Sequence, residues 1–407
     1  MSYASLTSTA LFAISIVAYT GGAAYALDGQ DLLAKVNANT AQNGLTFTAG
    51  SIEVDGDDIH LKGLASAAVE YPGQKVELGN ITLQDVEQRE DGGYMIGRID
   101  VPDITRVDGR TKVVAEGISI RNCQIAALPK GQTVDTLSFC RSVETGPVKI
   151  INYDKEFASI ESMGYEISLL PDSAGLGFEA AVEGIYVNFV EAPKADAMTN
   201  ASLKAAGLEE VKAGFASSGS WTLADGRMKL DESRLTIDDI GTLDFGFDIS
   251  GYTLETIYAL ADETAALVKA KGDGVEQGHD PAVGIEKAIL DMAGKVSLNS
   301  SFIRYEDDGL TEKLVEFFAK ERGTSVSEFN EALKFTMEAQ IAQFEPWLGA
   351  EFATSVKAAA RDYLDDPESL IVAAKPTNTV PFMAVASAMS EPKTLIELLA
   401  VEVKANE

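Results

Sequence analysis

The sequence predicts an α+β protein, in which an extended antiparallel β-meander is followed by a mainly helical C-terminal region that packs on the sheet. From Leu45 to about Val190, apolar and polar residues alternate with the period of a strand, and Asp-Gly pairs separate several of the runs. Asp-Gly between such runs is a hairpin signal and favours antiparallel pairing. From Thr253 onward, apolar residues recur mostly at helical spacing. We therefore predict a strand-rich region over residues 27–251 and a mainly helical region over residues 252–407.

Residues 1–26 contain no Lys, Arg, Asp or Glu, and an apolar run leads into Ala24-Tyr25-Ala26. This pattern is typical of a secretory signal peptide with an Ala-x-Ala cleavage site, so we expect cleavage after Ala26 and a periplasmic location. The segment lacks the basic residue that normally precedes the apolar run, and a retained membrane anchor is the alternative. The run is short for a bilayer span, which needs about 20 apolar residues. Since no later segment is long and apolar enough, we expect no integral membrane span after signal removal.

A helix and a series of hairpins are predicted after the signal peptide. Asp28 is a suitable N-cap for a helix that extends to Gln42, and Asn43-Gly44 stops it. Gly79-Asn80 shifts the alternation of one strand by a single residue, which predicts a β-bulge. Alternating runs bounded by turn residues predict strands that include residues 52–54, 59–61, 76–83, 94–101, 111–120, 148–153, 158–170 and 177–190.

The rest of the chain is predicted from the same two periodicities. Ser325 and Glu328 have the spacing of a capping box at the start of one C-terminal helix. The other predicted helices cover residues 193–208, 253–271, 281–292 and 350–364, with one more that begins near residue 310. The other predicted strands cover residues 211–223, 228–237, 243–249 and 296–305, and residues 370–374 and 400–404 as strands that return to the sheet.

The charge of the chain limits its partners. Acidic residues outnumber basic ones by 63 to 33, which gives a net charge of −30. Such a chain repels phosphate backbones, whose binding relies on Lys and Arg, so we expect no nucleic-acid partner. The acidity is typical of an exported protein that must stay soluble. Binding of a divalent cation or of a basic partner is the alternative.

The chain has two cysteines, Cys123 and Cys140. In an oxidising compartment an isolated pair usually forms a disulfide, and a loop of this size would stabilise the fold by about 3 kcal/mol in the chain-entropy model. The turn residues Pro129-Lys130-Gly131 between them allow the two ends to meet. The spacing differs from Cys-x-x-Cys, which argues against a thiol oxidoreductase. A structural disulfide is therefore predicted, and free thiols are the alternative.

The sequence contains no pattern typical of a catalytic or cofactor site. Its two histidines, His60 and His279, are far apart, and no Gly-x-Ser-x-Gly elbow or phosphate-binding loop is present. Acidic pairs are common, but each lies at a turn or a helix start, where Asp is favoured for backbone hydrogen bonding. Asp55, Asp57 and Asp58 form one such cluster and are a weak candidate for a calcium site, since their spacing does not match an EF-hand. We expect no enzyme activity and no cofactor.

Three segments carry a resemblance to a known family: Ala-Leu-Asp-Gly-Gln-Asp-Leu-Leu at residues 26–33, Asp-Phe-Gly-Phe-Asp-Ile-Ser-Gly-Tyr-Thr-Leu at 244–254 and Phe-Ile-Arg-Tyr-Glu-Asp-Asp-Gly-Leu at 302–310. On these residues the mature chain resembles an uncharacterised family of exported proteins from alphaproteobacteria. The resemblance implies export and little about activity. The strand-rich layout is also similar to the YdgA and AsmA groups of envelope proteins, which are tied to outer-membrane assembly and lipid handling. This second likeness is architectural and has no residue motif.

Three functional hypotheses follow. The first is a non-enzymatic periplasmic envelope protein that binds an apolar ligand, namely lipid, or an envelope partner. The second is an acidic scaffold or interaction protein, and the third is a glycan enzyme that uses carboxylates alone. The apolar stripes of the helices are typical of surfaces that pack on a sheet, and a groove for an acyl chain is the alternative. The deciding observation is whether sheet and helices enclose apolar space or pack solid.

Overall fold

The computed structural model describes residues 27–41, 44–69, 73, 75–191, 207–262, 290 and 292–407. The predicted signal peptide, with its cleavage residues Ala24 and Ala26, lies outside these residues, and so does His279. Part of three predicted helices also lies outside them, namely those over 193–208, 253–271 and 281–292.

The chain is α+β, as predicted. Within the described residues, twenty strands form one antiparallel sheet. The first ten strands are β1 (Leu45–Thr48), β2 (Ser51–Asp55), β3 (Asp58–Ala68), β4 (Lys75–Gln88), β5 (Tyr94–Val101), β6 (Ile104–Asp108), β7 (Thr111–Ala115), β8 (Ile118–Ile125), β9 (Phe139–Thr145) and β10 (Val148–Asn152). The remaining ten are β11 (Lys155–Ile160), β12 (Ser162–Leu169), β13 (Gly175–Asn188), β14 (Glu210–Thr222), β15 (Met228–Ile237), β16 (Gly241–Ser250), β17 (Ser297–Asp307), β18 (Ser369–Ala374), β19 (Val380–Pro381) and β20 (Val401–Ala405).

Neighbouring strands in the sheet are mostly neighbours in the chain, as the hairpin signals predicted. The main order is β3, β4, β5, β8, β9, β12, β13, β14, β15, β16, β17, β18 and β20, with β1 and β2 both paired to β3. A side branch, β6–β7–β10–β11, joins the far half of β13. The branch arises because several long strands are interrupted near their middle. One of them, the strand predicted over 111–120, is divided into β7 and β8 at Gly117, which has a positive φ of 65°.

The β-bulge predicted at Gly79-Asn80 is present. The register between β3 and β4 shifts on both sides of the pair formed by Leu64 and Gly79, and Gly79 has a φ of 85°. The side chain of Asn80 accepts a hydrogen bond of 2.9 Å from the backbone N–H of Gly63. Gly63 and Gly79 therefore accommodate the extra residue of the bulge, and apolar and polar residues still alternate on both sides of it.

The best-buried core lies at the N-terminal end of the sheet, under helix α1 (Gly29–Thr40). Asp28 caps this helix as predicted, because its Oδ1 accepts hydrogen bonds from the backbone N–H groups of Gln30 and Asp31. Tyr94 is fully buried, and its hydroxyl donates a 2.7 Å hydrogen bond to Asp31. The buried members of this cluster are Leu32, Ile59, Leu61, Leu64, Ile81, Leu83, Val86, Tyr94, Ile96 and Cys123.

The C-terminal helices are α2 (Leu310–Arg322), α3 (Val326–Leu348), α4 (Ala350–Asp365), α5 (Phe382–Ala388) and α6 (Pro392–Leu399). Ser325 and Glu328 form the predicted capping box of α3. Helix α3 packs against α2 and α4, and α4 packs against β18 and β20. A small buried cluster of Val315, Ala319 and Phe329 joins α2 to α3. Of the helices in the described part of the chain, none is both long and apolar enough to cross a membrane.

Candidate functional site

One side of strands β12 to β18 is mostly apolar, with Ser217, Ser233 and Ser301 in its middle part, and we call it the apolar face. Cross-strand partners point to the same side of a sheet, so the register assigns each side chain to a face. One cross-strand row consists of Met163, Val182, Phe215, Leu235, Leu243, Tyr305 and Leu370. A second row, nearer the other strand ends, consists of Leu169, Leu176, Trp221, Met228, Ile249 and Leu298. Between these rows lie Tyr165, Ile167, Phe178, Leu230, Phe245, Phe247, Ile303 and Val372.

In the described part of the chain, the apolar face is exposed to solvent at its middle strands. Phe245, Ile303 and Val372 are consecutive cross-strand neighbours, and their side chains are 40%, 48% and 37% exposed. Among the described residues between Val134 and Leu254, no hydrophobic side chain is fully buried. The seven strands give the face a width of about 29 Å at the usual spacing between strands. This sheet therefore presents a large hydrophobic surface of the kind that marks interaction sites in soluble proteins.

The opposite side of the same strands is charged. The guanidinium of Arg227 donates hydrogen bonds of 2.9 and 2.5 Å to Asp248, and Asn299 donates a third of 3.0 Å. The bond from Arg227 is the main reason that the pKa of Asp248 lies below its usual value. Arg234 forms a similar contact of 3.1 Å with Asp244. The strands are thus amphipathic, and two arginine–aspartate pairs lie on the side away from the apolar face.

A shallow groove of about 520 Å³ lies on the charged side of the sheet. Four carboxylates line it, those of Glu144, Glu166, Glu179 and Glu232, and its lining contains no basic residue. Glu166 and Glu179 are direct cross-strand partners, so their charges repel each other. In the described part of the chain no three His, Cys, Asp or Glu side chains are arranged to hold a metal ion. The groove is therefore an acidic surface rather than a formed metal centre.

The chain that leaves β16 passes along one end of the apolar face. The indole N–H of Trp221 donates a 2.9 Å hydrogen bond to the backbone carbonyl of Tyr252. The helical residues 254–262 then reach the connection between β8 and β9, where the hydroxyl of Tyr258 donates a 2.6 Å bond to the carbonyl of Gly131. This segment links strand ends that are five strands apart in the sheet. It places Trp221 at the boundary between the apolar face and a polar connection.

A polar cluster lies at the other end of the apolar face, around Asp307. Its Oδ2 accepts hydrogen bonds of 2.6 Å from Thr311, 2.8 Å from Tyr363 and 3.3 Å from Tyr305. Burial acts to raise the pKa of Asp307, but the bonds from Thr311 and Tyr363 outweigh it, so the pKa lies below its usual value. Burial is the main cause that raises the pKa of Tyr363 to about 12. Since Asp307 also accepts from the N–H of Gly309, the cluster serves to start helix α2.

The two cysteines are direct partners in neighbouring strands. Cys123 of β8 lies opposite Cys140 of β9, and their sulfur atoms are 2.05 Å apart, which is disulfide distance. Cys123 is 1% exposed and belongs to the N-terminal core. The pair therefore joins the covered end of the sheet to the first strand beside the apolar face.

Among the described residues, Asp55, Asp57 and Asp58, the weak candidate for a calcium site, are not arranged as a group that could hold a metal ion. Asp55 and Asp58 are the facing ends of the β2–β3 hairpin, and Asp57 follows the turn glycine Gly56. The carboxylate of Asp58 accepts instead from the backbone N–H of Asp85, at 3.3 Å. The acidic residues are thus used for turn geometry, as is common for Asp in hairpins.

His60 has a structural role. It lies in β3, and its Nδ1 is 3.0 Å from the hydroxyl of Thr82 in the neighbouring strand. The pair lies on the polar side of β3 and β4, and the residues on the other side of these strands are buried in the core. The contact gives no indication of catalysis.

Sequence reasoning missed the apolar face as a site. Its signal was present in the alternation of β12 to β17, for example Leu243, Phe245, Phe247 and Ile249 on one side of β16. The quoted segment 244–254 contains three of these residues, the paired acids Asp244 and Asp248, and the carbonyl that Trp221 contacts. The quoted segment 302–310 contains Asp307 and the residues that start α2.

Two comparisons with known proteins bear on these segments. The profile of a family described as an uncharacterized protein matches residues 234–406. A comparison with curated proteins finds no match. The matched part runs from β15 to β20 and includes both of the segments discussed above. Over this C-terminal part, the chain is similar to an uncharacterized protein family.

Proposed function

We propose that this chain is a non-enzymatic periplasmic protein of the cell envelope that binds the acyl chains of lipid on its apolar face. The observation that carries the proposal is the exposed row of Phe245, Ile303 and Val372, which lies between two apolar rows of the same face. An exposed apolar surface gains roughly 25 cal/mol for each Å² that is removed from water. A ligand without polar groups along its length, such as an acyl chain, gains this energy and loses no hydrogen bonds.

The size of the face fits this class of ligand. Its width of about 29 Å is close to the hydrocarbon thickness of a bilayer, about 30 Å, which two acyl chains fill end to end. One or two acyl chains can therefore lie across the strands. The charged side chains are kept on the other side of the sheet, so the ligand meets no buried charge.

The periplasmic part of the proposal is supported by the sequence. The apolar segment 1–26 and the pair Cys123 and Cys140 are both typical of exported proteins. The resemblance to exported alphaproteobacterial proteins agrees with this location. The architectural similarity to the YdgA and AsmA groups agrees with lipid handling in the envelope.

The experiment is native mass spectrometry of the protein, purified without detergent and then incubated with phospholipid. We expect added masses that correspond to bound lipid. Phe245→Asp combined with Ile303→Asp places two carboxylates on the face, and we expect the lipid masses to disappear because a charge in an apolar contact is costly. Val107→Asp is the matched control, since Val107 is 69% exposed in the β6–β7 hairpin, outside the apolar face. Equal lipid uptake by all three proteins, or none by the parent, would contradict the proposal.

A second candidate function is an acidic scaffold for a basic envelope partner. The observation in its favour is the groove of Glu144, Glu166, Glu179 and Glu232 on the charged side of the sheet. A pull-down from periplasmic extract at low and high salt tests it. A basic partner that is lost at high salt, and also lost with Glu166→Gln and Glu179→Gln together, would favour this function.

A further inference from the structure

The tip of the helical hairpin formed by α3 and α4 is a second exposed feature, separate from the apolar face. Helix α3 ends at Leu348, Gly349 turns the chain with a φ of 86°, and α4 begins at Ala350. The two helices pack side by side along their length. Helix α3 also packs against α6, and the side chain of Lys393 lies beside Gly349.

Two large aromatic side chains are exposed at this tip. Phe344 is 53% exposed and Trp347 is 58% exposed, and their ring centroids are 5.8 Å apart. Residues three apart lie on the same side of a helix. The two rings thus form one aromatic patch, although aromatic side chains of this size are usually buried in a water-soluble protein.

The tip itself carries little charge, although Glu351, Lys393 and Glu397 line a groove beside Gly349. Residues 339–350 contain a single charged side chain, Glu345, whereas 24% of the whole chain is charged. Glu345 is paired, because its Oε2 lies 3.3 Å from the Nζ of Lys357. The single charged side chain within the tip is therefore neutralised inside the molecule.

We propose that the α3–α4 tip docks on the surface of a zwitterionic lipid bilayer, with Phe344 and Trp347 inserted at the headgroup level. The indole of Trp347, an apolar ring with a polar N–H, is of the kind that favours the interface between membrane and water, and Phe344 adds an apolar contact beside it. The net charge of −30 makes an anionic surface unfavourable, which selects a zwitterionic one. The proposal is independent of the ligand on the apolar face, since the tip and the face share no residue.

Tryptophan fluorescence tests the insertion directly, because the chain has only two tryptophans. In Trp221→Phe protein, Trp347 is the one remaining reporter. With phosphatidylcholine vesicles we expect a blue shift of its emission, and quenching when the lipids carry a spin label near the headgroup. Vesicles that contain a large fraction of phosphatidylglycerol should give a weaker effect. An emission that neither shifts nor is quenched with any vesicle would overturn the proposal.

Vesicle flotation with variants distinguishes membrane binding through the tip from non-specific hydrophobic adsorption. Phe344→Ser combined with Trp347→Ser should lower partitioning into phosphatidylcholine vesicles at least about tenfold, the loss expected for two part-exposed aromatic rings. Phe335→Ser is the matched control, because Phe335 is 74% exposed and lies nine residues earlier, on the opposite side of α3. Equal loss in both variants would contradict a specific tip. So would a change of oligomeric state with unchanged flotation, which would assign the patch to a second copy of the chain.

Discussion

The N-terminal end and the middle of the sheet share one cross-strand row but differ in what covers it. The row runs through Ile59, Leu83, Ile99, Ile120, Val143 and Tyr165. Ile59 is fully buried under α1 and Leu83 is 4% exposed, whereas Tyr165 is 39% exposed. The same alternation of apolar and polar residues therefore builds a core where a helix lies on the face, and an open surface where none of the described helices does.

This difference separates the role of a residue in folding from its role in binding. An apolar side chain under α1 has no water to lose on ligand binding, so its contribution is to stability. An apolar side chain on β16 or β17 is partly in water, so part of its apolar surface can still be buried by a ligand. Substitutions at the two ends of the face should separate these roles.

The largest expected effect is on stability at the covered end. Leu83→Ala should lower the free energy of unfolding by between about 2 and 5 kcal/mol, because it removes buried methyl groups and leaves a cavity. Ile303→Ala, at 48% exposure, should cost less than about 1 kcal/mol. Urea unfolding followed by circular dichroism measures both. Similar losses at the two positions would show that the middle of the face is covered in solution.

The cysteine pair tests the junction between the two regions. Replacing Cys123 and Cys140 together by Ala should cost about 3 kcal/mol, the chain-entropy value for a separation of 17 residues. A reductant should lower the stability of the parent by a similar amount and leave the double variant unchanged. If the reductant has no effect on the parent, the two thiols are not bonded in solution.

Substitutions on the charged side of the open region should change the free energy of unfolding by less. Asp248→Asn should cost about 2 kcal/mol, since it weakens the hydrogen bonds from Arg227 and Asn299 to a mostly buried carboxylate. The matched control is Asp231→Asn, because Asp231 is exposed and paired with Lys229 at the surface. A cost at Asp231 as large as at Asp248 would contradict the role given to burial.

The pH dependence of this effect has a definite sign. The pKa of Asp248 is lower in the folded protein than its ordinary value of 3.8, so the stabilisation is fully present well above pH 3.8. It is lost as the pH falls below that value toward the lowered pKa of the folded state. The difference in stability between parent and Asp248→Asn should therefore shrink on acidification, in urea titrations at several pH values. A difference that grows as the pH falls would contradict the assignment.

The smallest expected effect is at the far end of the apolar face. Tyr363→Phe removes one hydrogen bond to Asp307 and should cost about 1 kcal/mol. Thermal unfolding measures the loss. Because Asp307 keeps its bonds from Thr311 and Gly309, helix α2 should remain formed. A loss of helical signal would show that Tyr363 is essential for the start of α2.

Much of the fold could be predicted because its signals are local. The α+β class, the cap at Asp28, the bulge at Gly79 and the capping box at Ser325 all depend on neighbouring residues, and the structure contains each of them. The division of one predicted strand at Gly117 was missed, since a single glycine does not distinguish a bend from a continuous strand. The short helices α5 and α6 were also missed, because few turns of helix give little periodicity.

The candidate site could not be predicted for a different reason. The alternation of apolar and polar residues places Phe245 and Leu83 on the same face of the sheet. Leu83 is covered because α1 lies over it, and the position of α1 depends on tertiary contacts that the local sequence does not specify. The acidic cluster of Asp55, Asp57 and Asp58 is ambiguous from sequence for a similar reason. Its residue types suit both calcium and a hairpin turn, and only the geometry distinguishes the two.

The central claim is that the open part of the apolar face holds an acyl chain, and Trp221 is placed to report it. In Trp347→Phe protein, Trp221 is the one tryptophan, and it lies in a cross-strand row of the face. The measurement is its fluorescence during titration with a fatty acid that carries a spin label on its chain. We predict saturable quenching, which Phe245→Asp combined with Ile303→Asp abolishes and Val107→Asp preserves. An emission that stays constant throughout the titration would contradict the account.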